Sequence, residues 1–352
     1  MNKKTVLNSC GKKELGEIAA SLGEKPYRAA QIFKWLHGNR VRSFDEMSNL
    51  SKQLRYSLAE ISEIAAITEE TRVISPKDSS VKALFLLSDG ERIESVLLTD
   101  RNRLTGCIST QVGCRMGCKF CATGKIGFRR NLTAAEIVEQ VNKLERIAKE
   151  DKRSSEGRLT NIVFMGMGEP LDNFDNVRNS LEILMDDNGY GYSHRRITVS
   201  TAGVAGKITK LFGLDTPVNL AVSLNASNQK TREQIMPVAA KYPLKELMDE
   251  LTSLTVDRRK RIMLEYVLLE GINDSPRDAA ELAKLAAKLP VKINLIRYNI
   301  GENRTFKPSS EQSALQFQKV LTDKTLSVFM RKSAGADIFG ACGQLSAGYG
   351  KR

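Results

Sequence analysis

Three cysteines stand close together in the chain, at Cys114, Cys118 and Cys121. Their C-x3-C-x2-C spacing supplies three thiolates, one fewer than the four ligands that a [4Fe-4S] cluster normally takes from cysteine. A cluster held by three thiolates leaves one iron open to a ligand that is not protein. Because a purely structural centre gains nothing from an open iron, the array predicts chemistry at the cluster.

Two other interpretations of these thiols are open. Structural zinc prefers two pairs of Cys or His ligands separated by a longer loop, and the two histidines of the chain, His37 and His194, lie far from the array. A disulfide framework is typical of small secreted proteins, whereas this sequence has 352 residues, six cysteines and no apolar signal segment. An iron–sulfur cluster is therefore the favoured interpretation.

Two further cysteines stand apart from the array. Cys107 lies seven residues upstream of Cys114, and Cys342 lies far downstream in the glycine-flanked run Gly340–Gly343. A cysteine in such a loop is poorly placed for a packed core and well placed to react, so Cys342 is predicted to be a reactive thiol. An incidental small residue is the alternative, and we interpret Cys10 in that way.

Positive charge dominates the composition and indicates a polyanionic partner. The sequence has 54 Lys and Arg against 41 Asp and Glu, a net charge of +13 and a pI near 9.4. An excess of this size is typical of nucleic-acid-binding proteins, although a solubilising surface charge is the alternative. No apolar run reaches the roughly 18 residues that a membrane-spanning helix needs. We therefore expect no membrane partner and a cytoplasmic protein.

The elements that must position these groups begin with a helical unit over residues 1–75. Apolar residues recur at helical spacing over Lys13–Leu22, Tyr27–Leu36 and Leu50–Ile64, which predicts three helices. The basic side chains of this unit could contact RNA, and a solvated helix face explains them equally well. They are Lys25, Arg28, Lys34, Arg40 and Arg42.

A strand-like periodicity replaces the helical one at residues 76–104. Val81–Leu87 and Arg92–Leu98 are predicted strands on either side of the turn Ser88–Gly90. Together they predict a β-hairpin that links the helical unit to the rest of the chain.

Strands and helices alternate from residue 105 to residue 352. This pattern predicts a parallel β/α architecture, and the periodicity leaves an open doubly wound sheet and a barrel both possible. The predicted strands are Thr160–Met165, Arg196–Thr201, Val218–Leu224, Arg261–Leu268 and Val291–Arg297, and the predicted helices are Thr133–Lys149, Asp175–Asp186, Ala205–Phe212, Leu244–Leu254 and Pro276–Leu289.

Candidate ligand-binding residues lie where these strands end, which is where α/β folds place ligands. The glycine-rich run Met165–Pro170 contains Glu169, whose carboxylate can accept hydrogen bonds from an ammonium or a hydroxyl. A tight turn with a capping acid is the alternative. Small polar side chains end three more strands, at Ser200, Ser223 and Asn299.

Taken together, these residues resemble the RlmN/Cfr family of radical S-adenosylmethionine (SAM) enzymes, which methylate an adenosine of 23S ribosomal RNA. The resemblance covers essentially the whole chain. It implies an incomplete (β/α)6 barrel over residues 105–352, an N-terminal helical accessory domain that contacts RNA, and a β-hairpin that carries Glu94. The motifs that carry it are Cys114–Gly124, Phe164–Leu171, Ser200–Gly203, Ile293–Ile296 and Ala341–Leu345.

The resemblance also implies the cofactors. One [4Fe-4S] cluster would be held by Cys114, Cys118 and Cys121, with its open iron chelated by the amino and carboxylate groups of SAM. An electron from the cluster then splits the sulfonium and gives a 5′-deoxyadenosyl radical. Contacts to SAM are implied for Gly168, Glu169, Ser200, Ser223, Leu224, Asn225 and Asn299.

The resemblance further implies a reaction that uses two SAM molecules per turnover. Cys342 would take a methyl group from the first and become S-methylcysteine. The radical from the second would remove hydrogen from that methyl group, and the methylene radical would add to the adenine ring. Glu94 matches the base that accepts the ring proton, and Cys107 would then attack Cys342, releasing the methylated base and leaving a disulfide.

Carbon 2 of an adenosine in 23S rRNA is the favoured methyl acceptor, with tRNA as a further substrate and flavodoxin or ferredoxin as the electron donor of a monomeric enzyme. Carbon 8 methylation of the Cfr type, which confers antibiotic resistance, is one alternative. A non-catalytic RNA-binding iron–sulfur protein is another. The chain departs from the family at Asn225, where histidine is usual, and at Phe339 and Gly340 before Cys342.

Overall fold

A ten-stranded sheet is the largest element of the structure, a computed structural model that describes residues 4–153, 157–215, 218–255, 261–301 and 305–348. Two short two-stranded sheets accompany it in the same ranges. The strands are β1 Thr5–Val6, β2 Ser62–Glu63, β3 Thr68–Ile74, β4 Val81–Leu86, β5 Arg92–Asp100, β6 Arg103–Cys107, β7 Gln111–Gly113, β8 Phe128–Asn131, β9 Asn161–Phe164, β10 Ile197–Thr201, β11 Asn219–Ser223, β12 Ile262–Leu268, β13 Val291–Arg297 and β14 Ser327–Arg331.

Helices cover the sheet, and several begin at side-chain caps that the sequence provides. At the start of the longest helix, the Thr133 hydroxyl accepts a hydrogen bond from the Glu136 amide at 3.2 Å, and the Glu136 carboxylate accepts one from the Thr133 amide at 2.9 Å. The helices are α1 Lys12–Ser21, α2 Tyr27–Phe33, α3 Lys52–Ile61, α4 Ala122–Ile126, α5 Ala134–Glu150, α6 Phe174–Met185, α7 Ile208–Phe212, α8 Gln229–Ile235, α9 Leu244–Ser253, α10 Pro276–Ala286 and α11 Glu311–Thr322.

The large sheet joins a parallel part to an antiparallel part. The parallel strands lie in the order β6-β9-β10-β11-β12-β13-β14, and the antiparallel strands β5, β4 and β3 continue the sheet beyond β6. The described residues thus contain six β/α units and a seventh parallel strand, β14. The predicted alternation is confirmed, and the parallel part gains β6 and β14, which the periodicity did not predict. The antiparallel part gains β3, a strand within the unit predicted to be helical.

The parallel part is strongly curved. One cavity is lined by side chains from all seven parallel strands, including both β6 and β14, the two outermost of the seven. A flat sheet would hold those strands far apart, since neighbouring strands are about 4.8 Å from each other. The fold is therefore a partial barrel, as the family resemblance implies, which decides between the two architectures that the periodicity left open.

The predicted hairpin is an integral part of the sheet rather than a separate link. Its strands β4 and β5 pair with each other, β5 pairs with β6, and β3 pairs with the outer edge of β4. Residues Ile93–Leu97 of β5 are buried because β5 is an inner strand of this sheet. The sheet therefore runs continuously across both predicted boundaries, at 75/76 and 104/105.

The N-terminal helical unit docks onto α5 of the barrel. Its third helix ends at Ile61, earlier than predicted, because Ser62 and Glu63 pair with the short strand β1 instead. Arg40 lies 2.6 Å from Glu145, and Arg42 lies 2.7 Å from Glu139, so these two basic residues bridge the interface. In the part of the chain that the structure describes, no helix is both long and apolar enough to cross a membrane.

Candidate active site at the carboxyl ends of the parallel strands

A cavity of about 150 Å³ lies within the partial barrel and gathers most of the predicted site residues. Side chains distant in the chain meet there because the carboxyl ends of parallel strands lie at one edge of a sheet. The predicted residues that line it are Cys107, Cys114, Cys118, Cys121, Gly168, Glu169, Ser200, Ser223, Asn225 and Cys342.

The three-cysteine array is presented by the connection between β7 and β8. Gly113 ends β7 with φ of +73°, and a Cβ atom there would lie 1.8 Å from the carbonyl oxygen of Gly127, so only glycine fits. The next residue, Cys114, donates its amide hydrogen to the same Gly127 carbonyl at 2.9 Å. The Cys121 amide donates to the Cys118 carbonyl at 3.1 Å, which closes a turn between the second and third cysteines.

Burial makes free thiolates unfavourable in this array. Burial raises the pKa of the Cys114 thiol to about 12 and the pKa of Cys118 well above its usual value, and mutual repulsion with Cys121 adds to both effects. Thiolates crowded into a cavity need a cationic partner, which cluster irons supply. Among the described residues, no group of three His, Cys, Asp or Glu side chains is close enough to hold one metal ion. An iron–sulfur cluster does not require such a group, because each cysteine ligates a different iron.

Glu169 lies at the end of the connection that follows β9. Its carboxylate accepts hydrogen bonds from the amides of Ala202 at 2.6 Å and Leu171 at 3.0 Å. Burial raises the pKa of Glu169 to about 7, although these hydrogen bonds act to lower it. The preceding Gly168 has φ of +99° and packs against Gln111 with no room for a side chain. The arrangement places a fixed carboxylate among the cavity-lining residues, where it suits a cationic ligand group.

Asn225 shows why asparagine is compatible with this position. Its φ is +57°, a left-handed conformation that asparagine tolerates better than most residues. Its side-chain oxygen accepts a hydrogen bond from the Val267 amide at 2.9 Å, and its side-chain nitrogen contacts the Met236 sulfur at 3.3 Å. The side chain therefore ties the end of β11 to β12 while the residue lines the cavity.

Two predicted SAM contacts lie outside the cavity lining. Leu224 is fully buried, and its carbonyl accepts a hydrogen bond from the Arg232 side chain at 3.2 Å. Asn299 lies beside the reactive loop, since its side-chain nitrogen donates to the Cys342 carbonyl at 3.3 Å. Their contacts to SAM stay a prediction.

The loop that carries Cys342 is fastened to the cysteine array. The Ala122 amide, directly after Cys121, donates to the Gly343 carbonyl at 2.7 Å, and the Thr123 hydroxyl donates to the Leu345 carbonyl at 2.7 Å. Cys342 itself is an exposed residue with a free thiol. The hydrogen bonds hold this thiol at the same cavity as the three-cysteine array.

Cys107 and Cys342 share a second, smaller cavity of about 40 Å³, which is also lined by Arg331. Both thiols are free. Desolvation raises the pKa of Cys107 to about 12, and the charge of Cys342 adds to this effect. The Arg331 guanidinium acts in the opposite direction on the pKa of both thiols. The structure thus brings together two cysteines that lie far apart in the sequence.

Comparisons with known proteins agree with this arrangement. Residues 7–64 match the family described as "Ribosomal RNA large subunit methyltransferase N-terminal domain", and residues 108–283 match the radical SAM superfamily. A protein of Syntrophobacter fumaroxidans called "Dual-specificity RNA methyltransferase RlmN" is 45% identical over 96% of each chain. A relative of the same name from Desulfosudis oleivorans is 48% identical over 92% of this chain and 85% of its own length. The chain belongs to the RlmN family.

A solved structure extends this result to the fold of the RlmN family. A radical SAM methyltransferase from Sphaerobacter thermophilus superposes with a TM-score of 0.88 at 39% identity, covering 97% of this chain and 99% of its own. The protein is accordingly a radical SAM methyltransferase, whose family uses a [4Fe-4S] cluster and SAM. Membership also makes it an enzyme, which overturns the alternative of a non-catalytic iron–sulfur protein.

Glu94, the family's proton acceptor by resemblance, is buried on β5. Lys82 on the neighbouring strand lies 3.1 Å from one carboxylate oxygen, and the Ser346 amide donates to the other at 2.8 Å. Glu94 is not among the residues that line the main cavity. The Ser346 contact connects it to the loop of Cys342, four residues earlier in the chain.

Three residues of this RlmN-type site were missed in the sequence. They are Lys82, Arg331 and Glu265, a cavity-lining carboxylate of β12. The pairing of Lys82 with Glu94 could have been predicted, since opposite charges within the two apolar strands of a hairpin often form ion pairs. Arg331 gave none, because it lies on β14, which was not predicted.

The sequence has three basic clusters that could bind RNA phosphates, and they differ in how many of their charges form ion pairs within the protein. The clusters are Lys125–Arg130, His194–Arg196 and Arg258–Arg261. Arg129 lies 2.9 Å from Glu91, and Arg130 lies 2.8 Å from Glu136. Arg195 and Arg196 are exposed. Residues 258–260 of the cluster Arg258–Arg261 lie outside the described residues.

Proposed function

We propose that this RlmN-family enzyme methylates carbon 2 of an adenosine in 23S rRNA, with tRNA as a second substrate. The observation that carries the proposal is the common cavity of five cysteines, in which the free thiols of Cys107 and Cys342 accompany the three-cysteine array. An enzyme that transferred the methyl group directly from SAM to a nucleophilic atom would need none of these five. The relatives named dual-specificity RNA methyltransferases support RNA as the substrate, and the match of residues 7–64 to a ribosomal RNA methyltransferase domain supports rRNA.

The chemistry of adenine explains why a thiol is needed as carrier. A ring C–H carbon of adenine is not nucleophilic, so it cannot displace a methyl group from a sulfonium. Cys342 can do so as its thiolate, forming a new S–CH3 bond with release of S-adenosylhomocysteine. When bound, the cluster and a second SAM supply the one-electron chemistry that removes a hydrogen atom from this S-methyl group, so that each turnover uses two SAM molecules.

Glu94 is assigned the role of the base that accepts the proton from the methylated ring carbon. After the Cys342-bound methylene radical adds to the ring, the base is joined to the protein as a ring radical. Aromaticity returns only when this radical loses one electron, for which the oxidised cluster would be the acceptor, and the ring proton. The ion pair with Lys82 holds the Glu94 carboxylate in place, so that it can accept that proton. The hydrogen bond from Ser346 supports this assignment, because it links Glu94 to the loop that would carry the adduct.

Cys107 is assigned the role of the thiol that releases the methylated RNA from Cys342. Its thiolate attacks the Cys342 sulfur, an S–S bond forms and the S–CH2 bond breaks. The electron pair of the broken bond passes to the methylene carbon, which takes up a proton and becomes the new methyl group. Two electrons from a donor such as flavodoxin or ferredoxin then restore both thiols. The shared cavity of the two cysteines supports this step.

Cofactor and substrate contacts complete the proposal. Cys114, Cys118 and Cys121 would hold the cluster, and Glu169 suits the ammonium of SAM. We assign further SAM contacts to Gly168, Ser200, Ser223, Leu224, Asn225 and Asn299. Exposed basic residues such as Arg195 and Arg196 would bind RNA phosphates, with an affinity that falls as salt rises. We propose that the enzyme acts as a cytoplasmic monomer.

Mass spectrometry of nucleosides from 23S rRNA and tRNA tests this function directly. RNA from cells with and without the gene is digested and compared, and the proposal expects 2-methyladenosine in both RNA classes only where the gene is present. Finding 8-methyladenosine instead would establish the Cfr-type activity. The absence of any gene-dependent methyladenosine would refute the proposed reaction.

A further inference from the structure

Glu265 is a buried carboxylate with one oxygen in use and one oxygen free. It lies in the middle of β12, is 6% exposed and lines the main cavity. One carboxylate oxygen, Oε1, accepts a hydrogen bond from the Asn294 side chain at 3.0 Å. The other oxygen, Oε2, is buried and has no hydrogen-bond partner among the described residues.

A free buried carboxylate oxygen calls for a ligand, because an unsatisfied charged acceptor loses its hydration without compensation. Glu169, the other acidic residue that lines the cavity, differs in this respect, since backbone amides bind both of its oxygens. Burial raises the pKa of Glu265, and the charge of Arg331 acts in the opposite direction without fully offsetting it, since the two side chains form no ion pair within 4 Å in the described structure. The protein therefore leaves Oε2 available to a bound molecule.

The position of Glu265 indicates which part of SAM it faces. In the sheet it is in register with Ser223 on one side and Asn294 on the other. Glu169 follows β9 and binds the Ala202 amide just after β10, whereas Glu265 lies on β12, two strands beyond β10 in the sheet. The proposed function assigns the ammonium of SAM to Glu169, so Glu265 faces a different side of the same ligand. The hydrogen-bond donors of SAM that remain for that side belong to its nucleoside.

We propose that Glu265 is a nucleoside-binding residue, whose free oxygen accepts a hydrogen bond from a ribose hydroxyl of SAM. The inference rests on the proposed function in taking SAM as the ligand of this cavity. Carboxylates bind ribose hydroxyls in the same manner in dinucleotide-binding folds. Asn294 occupies the other oxygen, and the carboxylate oxygen that stays free lets Glu265 discriminate ligands with a ribose hydroxyl from those without one.

Binding of hydroxyl-deleted ligands to the cluster-containing enzyme tests the inference. Calorimetry would compare S-adenosylhomocysteine with its 2′-deoxy and 3′-deoxy forms, on the wild type, Glu265→Gln and Asn294→Ala. The wild type should bind one deoxy form about tenfold more weakly than the parent, the effect of losing one hydrogen bond to a charged group. Glu265→Gln should bind the parent about tenfold more weakly and lose most of this discrimination, whereas Asn294→Ala, which keeps the carboxylate, should retain it.

The outcomes separate this inference from the proposed function. If Glu265→Gln keeps its cluster absorbance and still discriminates against the same deoxy ligand as the wild type, Glu265 is not the hydroxyl acceptor. Unchanged affinity for S-adenosylhomocysteine with weaker binding of an RNA fragment would assign Glu265 to the RNA instead and overturn the inference. A wild-type enzyme that binds neither SAM nor S-adenosylhomocysteine would refute the proposed function itself.

Discussion

The two sides of the cavity are built in different ways. On the cluster side, Cys114, Cys118 and Cys121 come from one short connection between β7 and β8. On the other side, Cys107 comes from β6 and Cys342 from the loop after β14, so the long intervening chain must fold before they meet. The proposed cluster side therefore depends on local turns, and the proposed methyl-carrying side depends on docking of a distant loop. This difference means that each side can be disabled while the other stays intact.

The largest effect is expected from removing a cysteine on either side of the cavity. The two variants should differ in whether the cluster and SAM binding persist. Cys342→Ala should reduce RNA methylation to background while cluster absorbance and SAM binding persist, because no cluster ligand is lost. Cys118→Ala should abolish both methylation and the cluster. Nucleoside mass spectrometry, iron analysis and visible absorbance measure these outcomes. Cys10→Ala, a buried thiol far from the site, is the matched control.

Residual methylation by Cys342→Ala would contradict the thiol-carrier mechanism. Loss of the cluster in that variant would instead show that the two sides are not independent. The hydrogen bond from Ala122 to Gly343 is the contact through which such coupling would act.

Cys107→Ala tests a later step on the methyl-carrying side. We expect the variant to form the methylene link between Cys342 and RNA and to release it slowly or not at all, because no thiol remains to attack the Cys342 sulfur. Denaturing gel electrophoresis with nuclease digestion would detect the protein–RNA adduct. An adduct-free variant that turns over normally would rule out a resolving role for Cys107.

Lys82→Met tests whether the ion pair with Lys82 keeps Glu94 in position. It should reduce methylation less than the loss of a site cysteine does. The ion pair is largely buried, so leaving the carboxylate without its partner should lower the free energy of unfolding by about 3 kcal/mol. Methylation should fall by about tenfold as Glu94 loses its fixed position. Lys82→Arg should restore most of the activity, and the exposed Lys77→Met is the control. Full activity in Lys82→Met would show that Glu94 needs no partner.

The smallest effect concerns the docking of the helical unit, which lies outside both sides of the cavity. His37 is 1% exposed and packs against Phe33 and Tyr190, and burial lowers its pKa from 6.5 to about 4. Between these pH values the unfolded chain binds the proton and the folded chain does not, so stability falls as the solution is acidified. The loss from pH 7 to pH 4 should reach about 3 kcal/mol as an upper bound.

Urea unfolding of the wild type and of His37→Gln over this pH range measures that effect. The variant should be less stable at pH 7, because it loses ring packing, and its stability should depend less on pH between 4 and 6.5. Equal pH dependence in both proteins would assign the acid sensitivity to other groups.

Strand and helix periodicity predicted the central β/α units because each such element buries one regular face. The same rule missed β14, whose exposed Phe329 and Arg331 give no buried alternation, since it is an edge strand of the large sheet. Arg40 and Arg42 show the corresponding limit for charge. Their sequence context fits RNA contacts and solvent equally well, and only the docked structure pairs them with Glu145 and Glu139.

The sequence by itself determined the cluster side, because three cysteines at C-x3-C-x2-C spacing must lie close together in any fold. It also indicated the reactive character of Cys342 through the glycines beside it. Only the tertiary structure decided that Cys107 and Cys342 share a cavity, that Lys82 and Ser346 hold Glu94, and that one oxygen of Glu265 has no partner among the described residues. Those facts depend on which strands are neighbours and how the sheet curves, and no local spacing along the chain encodes either.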